Sequence, residues 1–188
     1  MRSLGLLAMV LCAYGRAAEP VVVYVQFDDE PGTTVAGAAR KELEAIVTAA
    51  GVGFEWHPLA ESLGKEISPG AAVLTFRGRC DVRDLGRGTY SGSLGRSARV
   101  DGVILPFPTV DCDAVRRYVQ RDLLMLGESQ REAALGRALG RVAAHELYHV
   151  IGKTWGHAEC GVGKATYTVR DLLGERFRLE ICRSSPGN

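Results

Sequence analysis

Ser129-Gln130-Arg131-Glu132, then Ala133-Ala134-Leu135-Gly136-Arg137-Ala138-Leu139-Gly140-Arg141-Val142-Ala143-Ala144, then His145-Glu146-Leu147-Tyr148-His149-Val150-Ile151, is the stretch on which the reading of this chain turns. Ser129 and Glu132 have capping-box spacing before an apolar-periodic run, which predicts a helix from 129 to about 151. Gly136, Gly140 and Ala144 recur every fourth residue along it. Each interior glycine costs about 1 kcal/mol relative to alanine, and a neighbour packed closely on that stripe would explain why they are tolerated. Near the helix end, two histidines four apart share one face, so both imidazoles can reach a single metal ion. Glu146 is offset by about 100° from His145, beside such an ion and not aimed at it. That is the place for a general base, which takes a proton from a zinc-bound water while zinc polarises the scissile carbonyl.

Three of the four histidines, His145, His149 and His157, fall within this region. His57 stands alone before Pro58 and reads as a strand-end residue with no role. Gly152 follows His149 by three residues and is the expected helix stop, after which Lys153-Thr154-Trp155-Gly156 leads to His157.

Working upstream, Val21 to Phe27 is a β-branched and aromatic run bounded by Pro20 and Asp28-Asp29-Glu30-Pro31-Gly32, which predicts a buried strand. Val35, Ala39, Leu43, Ile46, Val47 and Ala50 recur at helical spacing before Gly51, a C-terminal stop. Short strands follow at 54–57 and 71–76. A strand, helix, strand opening predicts a mainly parallel sheet with a crossover helix. The Gly- and Ser-rich stretch 86–97 reads as a loop leading into an edge strand around Ser93 to Arg96. Asp101-Gly102 between two β-like runs predicts a hairpin, because both turn residues tolerate positive φ. Helices are expected at about 113–126 and 168–173, the latter with Thr168 and Asp171 at capping spacing.

The 188 residues are 46% hydrophobic and 24% charged, which excludes a disordered or collagen-like chain. The formal net charge of +1 gives no global electrostatic case for a nucleic-acid or anionic-membrane partner. Arg2, the apolar run from Leu4 to Ala13, and Ala17-Ala18 before Glu19 form a secretory signal pattern over 1–18. The run is shorter than the roughly 20 residues a membrane-spanning helix needs, so a secreted or periplasmic protein with no stable membrane anchor and a single domain over 19–188 is expected. With Cys12 removed, Cys80, Cys112, Cys160 and Cys182 remain, an even number that predicts two disulfides. Three pairings are possible. Cys80 with Cys112 and Cys160 with Cys182 is preferred, because each pair clips a neighbouring stretch. No Cys-x-x-Cys spacing supports structural zinc through thiolates.

His145-Glu146-Leu147-Tyr148-His149-Val150-Ile151-Gly152 resembles the active-site helix of the zincin metallopeptidases, and the glycine resembles the metzincin branch. The resemblance implies an α+β, zincin-like fold: a twisted mixed sheet of four or five strands with a backing helix and a long active-site helix. It implies zinc held by His145, His149 and a later residue, Glu146 as catalytic base, and a protein or peptide substrate that adds as a strand along the edge near Ser93 to Arg96. Two departures are plain. The family's third-ligand position falls on Trp155, and no methionine follows the helix to supply a Met-turn. His157, two residues later, is the expected third ligand, with Glu159 and Asp171 as alternatives. A gluzincin-like arrangement would use Asp171 or Glu175, of which Asp171 also reads as a helix cap. Tyr167 is expected near the site to steady an oxyanion. The function expected is a secreted zinc endopeptidase; the alternative is a secreted, disulfide-clipped binding domain with a structural or vestigial zinc site. Oligomeric state is not legible.

Overall fold

The structure, a computed structural model, describes residues 20–63, 70–86, 88–90, 92–175 and 177. The expected signal peptide at 1–18 and Cys182 lie outside the described residues.

Strand β1 (Val21–Asp29) is followed by helix α1 (Thr33–Ala49), strand β2 (Phe54–Pro58) and strand β3 (Ala72–Arg79). Gly51, with φ of +79°, adopts the left-handed conformation that lets the chain leave α1. β2 and β3 each pair with β1 in parallel, with Val23 facing Trp56 on one side and Ala72 on the other. Then come β4 (Gly95–Arg96), the hairpin strands β5 (Arg99–Val100) and β6 (Val103–Ile104), and β7 (Thr109–Asp111). The main sheet runs in the order β2-β1-β3-β7-β4, parallel except for β4, which pairs antiparallel with β7 and forms an edge. The fold is therefore mixed α and β with a mixed sheet, and the edge strand lies where the Gly-Ser-rich approach placed it.

β1 departs from the expectation of a strand buried on both faces. Val23 and Val25 are buried, whereas Gln26 and Asp28 on the alternate positions are exposed. One sheet face is covered by helices and the other is left open, which converts a continuous valine run into a period-two pattern. The hairpin β5–β6 turns through Asp101 (φ +48°) and Gly102 (φ +84°), as the dipeptide requires, but its two strands form a separate small sheet.

Helix α2 (Cys112–Leu124) starts directly from β7, and the Asp111 side chain accepts a hydrogen bond from the Ala114 amide at 2.8 Å. The Cys80–Cys112 disulfide ties the end of β3 to the first turn of α2. Cys160 is also disulfide-bonded.

Helix α3 (Glu128–Gly152) runs through the middle of the molecule. Its N-cap lies two residues earlier than the capping-box reading: it is Gly127, and no side chain caps the helix. Ser129 is thus inside the first turn, because the chain leaving α2 reaches helical geometry before it. The small-residue stripe faces α1 at close range. A Cβ on Gly136 would lie 2.5 Å from the Val35 carbonyl oxygen, and one on Gly140 would lie 2.5 Å from that of Ala39. Beside this seam Arg141, fully buried, donates to Glu42 Oε1 at 2.7 Å and to the Asp171 carbonyl at 2.8 Å. One guanidinium therefore joins α1, α3 and the short helix α4 (Val169–Leu173). Thr168 and Asp171 form the expected capping box on α4. Leu135, Leu139 and Leu147 of α3 meet Phe76, Val110, Val119 and Leu172 in one core. Among the described residues, no helix is long and apolar enough to cross a membrane.

Candidate metal centre

Positions 145 and 149 lie one helical turn apart near the end of α3, and the structure brings their Nε2 atoms to 3.2 Å. His145 Nδ1 lies 2.8 Å from the Val162 carbonyl oxygen, and His149 Nδ1 lies 2.8 Å from that of Thr154. A carbonyl oxygen only accepts, so both Nδ1 atoms carry the proton and both Nε2 atoms present a lone pair. Two such lone pairs at this distance repel unless a cation lies with them. Nitrogens bound to one tetrahedral zinc at about 2.0–2.1 Å would sit roughly 3.3 Å apart, close to the separation present. His145 and His149 are thus spaced to share one metal ion.

The third imidazole arrives from the loop after α3. The chain turns at Lys153, which takes the left-handed conformation at φ +45°, and not at Gly152, which remains helical. The helix thus stops at Gly152 as expected, and the left-handed residue is the one after it. The Thr154 carbonyl, held by His149, draws the loop back along the helix. His157 then stacks 5.4 Å from the His145 ring and lies edge-on 5.0 Å from that of His149. The ligand atoms of all three lie within 4.8 Å of one another, a group that could hold a metal ion. Trp155, half exposed, packs its ring 5.9 Å from that of His149 and has no lone pair to offer a metal. Burial holds His145 below the ordinary imidazole range against the opposing hydrogen bond to Val162, and a proton added here would also be repelled by any on His149 or His157. The neutral form is the one that ligates metals.

Glu146 is only 5% exposed and lies on the side of the histidine pair that faces β4. Burial raises its carboxyl to about 7, with the Ser97 hydrogen bond opposing the shift. Ser97 Oγ donates to Glu146 Oε2 at 2.7 Å. Ser97 was not among the residues singled out from the sequence; its signal is its place two residues after Gly95, which puts both on the same side of an extended segment. A cleft of about 670 Å³ opens over the cluster, walled by Leu94 and Gly95 of the edge, by Trp155 and His157, and by Lys164 and Tyr167. A groove of about 590 Å³ between α1 and β2 is nearly as large, but its lining has Glu30 and Arg40 as its charged residues and no imidazole or thiol.

Tyr167 does reach the site, in a different role from the one expected. Its hydroxyl donates to the Val162 carbonyl at 2.6 Å, the same oxygen that accepts from His145. Burial raises its phenol well above the ordinary range. Tyr118 in turn donates to the Tyr167 carbonyl at 2.7 Å. Asp171 accepts from Thr168 and pairs with Lys164 Nζ at 2.9 Å, so it caps α4 and stays away from the imidazoles; Glu159 and Glu175 are likewise outside the cluster. His57 pairs with Glu55 on the far edge strand β2. Comparison with protein-family models, with curated proteins and with solved structures finds no match for this chain.

Proposed function

We propose that the chain is an exported, zinc-dependent endopeptidase of zincin-like fold, its zinc held by His145, His149 and His157. The observation that carries this reading is a buried carboxylate, Glu146, beside three converging imidazoles at the floor of an open cleft with a strand edge along its rim. Zinc, when bound, supplies Lewis acidity toward a scissile carbonyl and toward water. The rest falls to the protein. Glu146 takes the proton of the attacking water and returns it to the leaving amine, a task for which a base of pKa near 7 suits neutral pH. Among the described residues β4 has no neighbour on its outer side in the sheet, so a peptide can add there as a further strand and lie across Glu146. The disulfide at Cys80–Cys112 accords with an oxidising compartment.

A closed structural site would require a fourth protein ligand. Among the described residues the cluster has three, and Cys160 is committed to a disulfide. The test is zinc content together with cleavage of a casein-type substrate by the parent, Glu146→Ala and His157→Ala. Cleavage by the parent, loss of cleavage with zinc retained in Glu146→Ala, and loss of zinc in His157→Ala are expected. A zinc-loaded parent that cleaves no peptide would overturn the peptidase reading.

A further inference from the structure

The base is held from the opposite side of the cleft by two residues that no motif marks. Ser97 is 6% exposed, and its hydroxyl has one proton to give. That proton goes to Glu146 Oε2 at 2.7 Å and not to the Glu146 backbone carbonyl, which lies 3.2 Å away. A bond to a charged acceptor is the stronger of the two. The other carboxylate oxygen is confined by Gly95. A Cβ built on Gly95 would stand 2.7 Å from Glu146 Oε1 and 2.9 Å from its Cγ, so the carboxylate occupies the space a side chain would fill. Oε1 has no donor among the described residues and remains open to the cleft. Gly95 and Ser97 are two apart on an extended segment and therefore face α3 together, with Arg96 directed away.

We propose that Gly95 and Ser97 form a clamp that sets the conformation of the Glu146 carboxylate, engaging Oε2 and leaving Oε1 as the oxygen that exchanges the proton. The inference rests on Glu146 being the general base. The clamp makes the edge strand a positioning element for the base as well as a rim for the substrate. It also explains why this stretch reads Gly-Arg-Ser: the first position must lack a side chain and the third must supply a small donor. A carboxylate with one oxygen already bonded has one fewer orientation to sample, which brings its proton-transfer geometry closer to that required.

The experiment compares Ser97→Ala, Ser97→Thr and Gly95→Ala with the parent, each alone and with Ser97→Ala also combined with Glu146→Ala. Zinc content, kcat and KM on a casein-derived peptide, and the crystal structure of zinc-loaded Ser97→Ala are the readouts. A fall in kcat of roughly 10- to 100-fold is expected for Ser97→Ala, with KM and zinc content unchanged. Ser97→Thr should recover most of the rate, Gly95→Ala should lose it, and Ser97→Ala should cost nothing further once Glu146 is gone. In the Ser97→Ala crystal the Glu146 carboxylate should leave its present position or split between two. An unchanged kcat, or a carboxylate that stays in place without the hydroxyl, overturns the clamp. An inactive parent would instead overturn the peptidase reading, and the crystallographic comparison would still decide the clamp.

Discussion

Gly140→Ala should destabilise the fold, although alanine is the better helix former. A Cβ at this position would meet the Ala39 carbonyl oxygen at 2.5 Å, Ala39 C at 3.3 Å and Glu42 Cβ at 3.0 Å. The first two are backbone of α1 and have no rotamer to change, so relief comes only if the helices move apart. Overpacking of this kind costs about 1–3 kcal/mol, against a gain of about 1 kcal/mol from helix propensity. Separation also draws Glu42 away from the buried Arg141 guanidinium, now at 2.7 Å. Breaking a buried pair costs roughly 3–5 kcal/mol when complete, so even partial loss places the net destabilisation near 2 kcal/mol or above. Gly37 provides the internal control. It is an exposed glycine of α1 with nothing within 4 Å of a Cβ, so Gly37→Ala should stabilise by about 0.5–1 kcal/mol. Urea unfolding under non-reducing conditions, followed by far-ultraviolet circular dichroism and tryptophan fluorescence, measures both. Shifts of the same sign, or a Gly140→Ala protein as stable as its parent, would refute the steric account of the helix seam.

Three other outcomes are expected. Tyr167→Phe removes the second donor on the Val162 carbonyl that orients His145, so zinc affinity measured by chelator competition should fall by roughly 10-fold while helix content is unchanged. In the metal-free protein the Glu146 carboxyl is raised from 4.5 to about 7 by burial, so the fold favours its neutral form. The resulting penalty is absent below pH 4.5, where folded and unfolded chains both hold the proton, and is complete above pH 7. Glu146→Gln should therefore stabilise metal-free protein by about 3 kcal/mol at pH 8 and have little effect at pH 4, and equal effects at both pH values would contradict the assignment. Replacing both Cys80 and Cys112 by Ala opens a crosslink spanning 32 residues, and loss of its chain-entropy contribution should lower unfolding free energy by about 4 kcal/mol.

What could be read from the sequence was what repeats at short range. The period of α1, the Asp101-Gly102 turn and the His145–His149 spacing are each decided within a few residues, and the structure reproduces them. Contacts between distant parts of the chain left no such trace. Ser97 and Glu146 are 49 residues apart, and Arg141 and Glu42 are 99 apart. A serine and an arginine in those positions look like a loop residue and a solvated charge until the chain is folded. The helix seam is intermediate: Gly136 and Gly140 announced a close neighbour without saying that it was α1. The local errors have local causes. Ser129 has the chemistry of a cap, but the chain is already helical one residue earlier; Gly152 ends the helix as expected, and the left-handed turn that follows falls on Lys153, a residue whose type does not announce it.

The three imidazoles come from supports of unequal stiffness, two from a packed helix and one from an exposed loop, and this divides the kinetics of metal exchange. His145 and His149 are already oriented by backbone acceptors, so an arriving ion would meet a ready-made pair of ligands and its capture would not wait on any rearrangement. Departure would be governed by the other arm: with His157 attached, an ion that broke one bond would be held at a high effective concentration and would rebind. Shortening or loosening the loop should therefore change how long a metal ion resides far more than how quickly it arrives.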